Sequence, residues 1–247
     1  MAVRPTGNRK VWGSIPQSGS GLFPFCRDIT SRWVITGHFK LTAADVIPEK
    51  DDDTLFISGT LVKNKQYQSK LNEFYGKPNQ RWELIYTATR NRFRSHDFHR
   101  QCDGKGPTMT IIRSKEDGYL FGGFTAVSWS SQTGPKKDPT AFLFTLTNPD
   151  DLPSTKFNID TTKSEYAVLH HQLLGPTFGR DRDLDRLCLD RLHDRDRLDL
   201  LADICISNEF GLSNFPNTYI DALGLARRTF SRDRWFIVND IEIYRLC

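Results

Sequence analysis

The densest group of reactive or ligating side chains in the sequence is His96, His99, Cys102 and Asp103. On a helix, His96 and His99 stand one turn apart and share a face. A zinc site needs a fourth ligand and a second pair at suitable spacing. The other histidine pair, His170 and His171, is adjacent in sequence, so on a strand its rings point to opposite faces. The pattern predicts a short helix with Phe98 buried and its histidines at least partly in water, and no metal or cofactor. Cys102 beside His99 is the local nucleophile–base pair. A thiol at the C-terminal end of a helix dipole is poorly placed to become a thiolate, however, and no GxSxG nucleophile elbow occurs. Glu83, Asp240 and Glu242 form a carboxylate set if the strands bearing them are neighbours. Asp240 and Glu242 then share a face, for which a solvated sheet face is the simpler reading.

Two glycine-containing segments invite a ligand reading. Asp103-Gly104-Lys105-Gly106-Pro107 looks like a phosphate loop, but it lacks the GxxxxGK[ST] spacing and follows a helix instead of preceding one. A helix stop and a turn are expected, with the loop as an exposed contact. Gly122-Gly123 falls inside an apolar run, where a bulge or the close approach of another backbone is the ordinary cause.

The elements that must position these residues are short. Residues 33–41 mix β-branched and aromatic side chains as a strand does, and Pro48 with the acidic run 49–53 breaks the chain. Leu55, Ile57, Leu61, Leu71, Phe74 and Tyr75 lie among polar residues, and some of these spacings suit a helix, with Gly76 and Pro78 as its stop. Residues 82–88 read as a strand, and Ser95 reads as the cap of a helix over 96–102 with Asp97 in its first turn. Further strands are expected at 109–113, 119–127, 141–146, 157–159, 166–169, 203–206 and 235–246, with a tight turn at 116–118. Many short strands with one or two helices predict a mainly β member of the α+β class, a β-sandwich of antiparallel sheets flanked by short helices.

Of the 247 residues, 38% are hydrophobic and 12% aromatic, enough for a sizeable core. The formal net charge is only +4, so no preference for polyanions follows. Cys26, Cys102, Cys188, Cys205 and Cys247 are odd in number and lack CxxC spacing; they read as free thiols in a reducing compartment. Residues 1–21 lack the apolar run of a secretory signal, and no stretch approaches the roughly 20 apolar residues of a membrane helix. These features predict a soluble intracellular protein, in the cytoplasm, with the nucleus or mitochondrion as alternatives. Residues 1–21 read as a disordered arm and 22–54 as an extension able to pack on the domain. Residues 180–201 are almost wholly Arg, Asp and Leu, an inserted low-complexity loop or solvated helix. Its interleaved aspartates oppose a nucleic-acid role.

From Trp82 the chain resembles the TLDc domain family. The matching strings are Trp82 to Arg90 with Phe93, Phe98-His99, then Cys102-Asp103-Gly104-Lys105-Gly106-Pro107-Thr108. They continue through Gly118 to Thr125 with Gly122 and Gly123, Trp129, and Asp138-Pro139-Thr140-Ala141-Phe142 to Leu146. Gly175-Pro176-Thr177-Phe178-Gly179 and Asp240-Ile241-Glu242-Ile243-Tyr244 close the series, and Leu71 to Tyr75 resembles the family's leading helix. The resemblance covers 55–247, interrupted by the 180–201 insertion. It departs from the family where Asn91 and Arg92 stand in place of an acidic residue and a glycine, and where the insertion follows Gly179.

The resemblance implies a β-sandwich flanked by helices. Members include oxidation-resistance proteins and a nuclear receptor coactivator, and they are linked to oxidative-stress protection and to regulation of the vacuolar proton pump, the V-ATPase. No accepted reaction belongs to the family. The expectation is therefore a non-enzymatic binding module for a protein partner such as the V-ATPase peripheral subunits, with no nucleic acid and no membrane insertion. Asp103, Lys105, Lys136, Lys137, Asp240 and Glu242 are its candidate contacts. The competing readings are a hydrolase or thiol redox enzyme using Cys102/His99 or Glu83/Asp240/Glu242, and a scaffold that binds through its arm or insertion.

Overall fold

The computed structural model describes residues 54–180 and 202–247, together with the backbone of Cys26–Arg27 and Trp33–Val34. The chain divides into two units, Met1–Asp52 and Asp53–Cys247. In the first, β1 (Cys26–Arg27) pairs antiparallel with β2 (Trp33–Val34), where the expected strand over 33–41 begins. The rest of that strand, the 1–21 arm and residues 181–201 of the insertion lie outside the described residues.

The second unit opens with β3 (Phe56–Ile57) and α1 (Lys65–Tyr75). Helix α1 starts where the Asn64 side chain accepts the Gln66 N–H, and it stops at Gly76, whose φ of 88° is left-handed. Its buried face carries Gln68, Leu71, Asn72 and Phe74. Asn72 donates to the carbonyls of Pro78 and Gln80 and accepts from the Trp82 indole at 2.8 Å, fastening the helix to the start of β4 (Trp82–Thr87). Two short helices follow, α2 (Ala88–Asn91) and α3 (Ser95–Cys102). Helix α3 begins one residue earlier than the sequence suggests: Arg94 is the N-cap, and no side chain caps the turn.

The remaining strands are β5 (Thr108–Ser114), β6 (Leu120–Thr125), β7 (Gly134–Lys136), β8 (Phe142–Thr145), β9 (Thr155–Asn158), β10 (Val168–His170), β11 (Thr177–Phe178), β12 (Ile204–Ser207), β13 (Phe210–Leu212) and β14 (Trp235–Leu246). A 3₁₀ turn, Thr161–Tyr166, occupies the start of the strand expected at 166–169. The strands hydrogen-bond in the order β7-β10-β11-β12-β13-β14-β5-β6-β8-β9, with β4 also on β14 and β3 parallel to β4. Apart from that parallel pair, the unit is one large antiparallel sheet flanked by short helices. Among the described residues no helix is long and apolar enough to cross a membrane.

Strand β14 joins the two arms of the sheet. Its start pairs with β13, while Val238 to Leu246 pairs with β5 and β4. Side chains alternate across the sheet, so Met109 and Ile111 enter a cluster with α1, Trp82 and Phe144, while Ile112 enters another with Phe98, Trp129 and Phe178. Both arms contribute to the second cluster, since Phe178 and Ile204 lie on one arm and Phe121 and Phe157 on the other. Each fully buried phenylalanine there contributes roughly 1.5–3 kcal/mol.

The ends of the insertion are closed by the core. Strands β11 and β12 pair through Thr177 with Cys205 and Phe178 with Ile204, so the insertion connects adjacent antiparallel strands. Thr218 accepts the Arg180 N–H, and the Asp203 carboxylate accepts the N–H groups of Asn217 and Thr218.

Candidate functional site

Strands β4 and β14 are neighbours, as the carboxylate reading required, yet the three carboxylates serve different partners. Glu83 is exposed and paired with Arg245 at 2.7 Å. Asp240 is buried and accepts the N–H and hydroxyl of Thr89, which anchors α2. Glu242 has no exposed surface: it accepts the Thr60 N–H and hydroxyl, the Leu61 N–H and the Tyr244 hydroxyl. Asp240 and Glu242 therefore are not on a solvated face and are not available as partner contacts. The 59–61 loop and α2 cover them, a packing that alternation along one strand does not encode. Burial, and then the adjacent Glu242 carboxylate, raise the Tyr244 hydroxyl far above its ordinary range.

The histidine-bearing helix is also more enclosed than expected. His96 is exposed, but His99 is buried against Phe98. One ring nitrogen of His99 is 2.8 Å from Asp103, and the other is 3.0 Å from the carbonyls of both His171 and Leu174. His99 thus ties α3 to the 171–174 turn, with both nitrogens occupied by partners other than Cys102. Burial pushes the Cys102 thiol well up, which disfavours the thiolate. Among the described residues no three His, Cys, Asp or Glu side chains are arranged to hold a metal.

Around this helix the fold gathers residues distant in sequence. The Ser131 hydroxyl donates to Asp103, and the Ser130 hydroxyl is 2.9 Å from His170 Nδ1. Burial, and then Lys136, lower the His170 pKa to about 4, so its ring is neutral at pH 7. Lys136 is half-buried on β7, Lys105 is exposed, and exposed Lys137 is 3.8 Å from Glu165. Sequence reading did not single out the Ser130–His170 contact, because 40 residues separate its partners.

The other motif residues hold turns. Asp138 is buried and accepts from the Thr125 hydroxyl, the Ala126 N–H and both Thr140 donors, which sets Pro139 and Phe142 at the start of β8. Arg90 donates to Thr87, Gly104 bonds to the Trp129 carbonyl, Gly106 donates to Ser128, and Pro107 follows into β5. Gly175 donates to Ile206, and Pro176 leads into β11. Gly122 and Gly123 sit at close approaches, with the β5–β6 register unbroken.

Gly179, at φ 77°, lies against the Asp203 carboxylate, where a Cβ would come within 2.0 Å of Oδ2. Burial pushes the Asp203 pKa up to about 7, against the lowering pull of its backbone N–H donors. The folded state therefore holds this proton more tightly than the unfolded chain does. The associated stability is present below about pH 4 and is lost as pH rises through about 7. We expect unfolding free energies from urea titrations across that window to show a falling component with a slope of at most about 1.4 kcal/mol per pH unit. The component should be missing in Asp203→Asn; equal slopes in the two proteins would contradict the assignment.

A concavity of about 1080 Å³ lies elsewhere, lined by the α2–α3 connection (Arg92, Phe93, Arg94, His96), Leu173, the β12–β13 turn with Glu209, and Phe210, Leu212 and Trp235. A smaller one of about 560 Å³ is lined by Tyr75, Lys77, Pro107, Pro139, Phe142 and Lys156, among others. Neither includes His99, Cys102, Ser130 or His170. Nothing in the sequence pattern marked the larger one, because its walls come from four separate segments.

A family model described as "TLDc domain" matches residues 56–247. The chain is also similar to the Mus musculus protein named MTOR-associated protein MEAK7, at 30% identity over 70 residues, which cover 27% of this chain and 14% of that protein. The chain thus matches only a small part of that relative's length.

Proposed function

The chain belongs to the TLDc domain family, and we propose that it is a non-enzymatic binding module that regulates a protein partner. The observation that supports this reading is where the polar residues go. Asp138, Asp240, Glu242 and His99 are buried in bonds that hold loops to the sheet, while the larger concavity is lined by exposed Arg92 and Arg94 and by apolar groups such as Phe210 and Trp235. We read the two arms of the sheet as the layers of a β-sandwich; the contact of Phe178 on one arm with Gly123 on the other favours it. The domain on this reading runs over 55–247, with 22–54 as an extension.

The V-ATPase peripheral subunits are the partner the family resemblance implies, in the setting of oxidative stress. The mouse relative's name carries an association with another protein, which fits a binding role. Lys105, Lys136, Lys137 and the Asp103 loop are the contacts proposed from the sequence, since they lie on loops and an edge strand.

The test is recovery of V-ATPase peripheral subunits on the tagged full chain from cells with and without oxidant. The reading expects association that responds to oxidant, and recovery of no subunit in either condition would count against it. Replacing 181–201 by a short turn should leave recovery intact; loss with that deletion would move the binding role to the insertion. Ester or peptide turnover that disappears in Cys102→Ala would replace the reading with the enzymatic one.

A further inference from the structure

Strands β12, β13 and β14 present an outward apolar face. Cys205, Ser207, Phe210, Leu212 and Trp235 share one side, as the pairings Cys205–Leu212, Ser207–Phe210 and Leu212–Trp235 require. Ile204, Ile206 and Phe236 point the other way, into the core shared by both arms. Part of the outward face is covered: Cys205 and Leu212 pack with Leu169, Leu174 and Ala202. Beyond that cover the apolar surface continues uncovered. Phe210 is 53% exposed, Trp235 49% and Leu173 43%; among the described residues the only other large hydrophobic this exposed is Ile220. Three of four such residues therefore line one concavity. Scattered exposed apolar side chains are ordinary, but a contiguous group with a polar rim marks an interaction surface.

The rim is unequal in charge. Arg92 and Arg94 line it and are exposed, and no carboxylate among the described residues pairs with either. Glu209 is the one acidic residue of the lining. Arg92 also sits at φ 76°, ψ 153°, a region almost restricted to glycine, at a cost of about 1–3 kcal/mol. The Tyr86 hydroxyl, which donates to the Arg92 carbonyl at 2.8 Å, holds it there.

We propose that this groove is a docking site for a partner segment that presents large apolar side chains flanked by carboxylates, the apolar groups seating on Phe210, Trp235 and Leu173 and the acidic ones meeting Arg92 and Arg94. The proposal rests on the binding-module reading and names the surface through which it operates. Aromatic residues and arginine are the types that most often dominate binding energy at such sites, and the arginine rim adds preference for acidic partners.

Three fluorescein-labelled synthetic peptides of equal length test it on the full chain: one alternating Leu and Phe with Glu, one with Lys for every Glu, and one with Ser for every Leu and Phe. By anisotropy the first should bind at least tenfold tighter than either control, and weaken with added salt. Trp235→Ala and Phe210→Ser, at exposed positions, should each lower its affinity tenfold or more with an unchanged far-UV spectrum. Arg92→Glu with Arg94→Glu should reverse the preference toward the Lys peptide. Arg92→Gly should weaken binding while raising the thermal midpoint, two effects that a purely structural role would not combine. Equal binding of the three peptides, or wild-type affinity in the groove variants, would overturn the proposal. If the wild-type chain recovers pump subunits and the groove variants recover them equally, the groove is refuted and the binding-module reading stands. If the wild type recovers none while the peptides behave as described, the groove stands and the pump assignment fails.

Discussion

Glu242→Ala is expected to lower the folding free energy by about 3–5 kcal/mol, the severe end for one substitution, because it removes the shared acceptor of a buried hydrogen-bond network. The carboxylate has no exposed surface, and four donors converge on it from Thr60, Leu61 and Tyr244. Without it the Thr60 and Leu61 N–H groups and the Tyr244 hydroxyl lose their acceptor, and each buried donor left unmatched costs about 1–3 kcal/mol. Water entering the vacated space recovers part of that, so the total falls below the sum. A domain of this kind has roughly 5–15 kcal/mol in all, so the variant should be marginal or unfolded at 37 °C. Glu242→Gln keeps a carbonyl acceptor and should lose less than half as much. Urea unfolding followed by tryptophan fluorescence reads both. A Glu242→Ala unfolding free energy within about 1 kcal/mol of wild type would show that the 59–61 loop does not depend on this residue. A double-mutant cycle with Tyr244→Phe should return a coupling, because the two groups share a hydrogen bond at 2.6 Å.

Gly122→Ala should be comparably severe for a different reason. A Cβ at Gly122 would stand 1.9 Å from the Thr110 carbonyl oxygen and 3.0 Å from the Phe144 ring. The obstruction is backbone, and it belongs to β5, which is paired on its other side with β14. Moving β5 away would open the ladder in the middle of the sheet, so the cost is expected to be roughly 3 kcal/mol or more. Soluble yield and thermal midpoint measure it. Gly175→Ala is the control, since its Cβ would meet Ile206 at 3.4 Å, an ordinary contact. The two substitutions add the same methyl group, so equal effects would sink the steric explanation.

Both positions belong to motifs through which the chain resembles its family, and in both the structure supplies a reason within the fold. The same holds for Asp138, whose four bonds tie the start of β8 to the end of β6. His99, Asp240 and Glu242, which looked able to do chemistry, are occupied in holding loops to the sheet. The groove of Phe210, Trp235 and Leu173 with its arginine rim was not among the candidates. In the sequence Trp235 reads only as the start of a strand, and neither Phe210 nor Leu173 carries a local signal.

Elements with a clear local signal were legible at once. The alternation and apolar content of 235–246 marked β14 to its last residue, and Gly76 marked the end of α1. The start of α3 was misplaced by one residue, because Ser95 offers a good capping group that the structure leaves unused. The departure at Arg92, where a glycine would be usual, was visible in the sequence; its positive φ and its place on a groove were not.

The sequence by itself determined the longer elements, the antiparallel β character and the family, because periodicity, turn residues and motif order are local and survive without coordinates. Only the tertiary structure decided which polar side chains are covered and which apolar ones are bare. Alternation says that Glu242 and Tyr244 share a side of β14, but whether that side meets water depends on the 59–61 loop, some 180 residues away. Burial is a property of what packs on a face, and that partner is chosen by long-range contacts that no local pattern records.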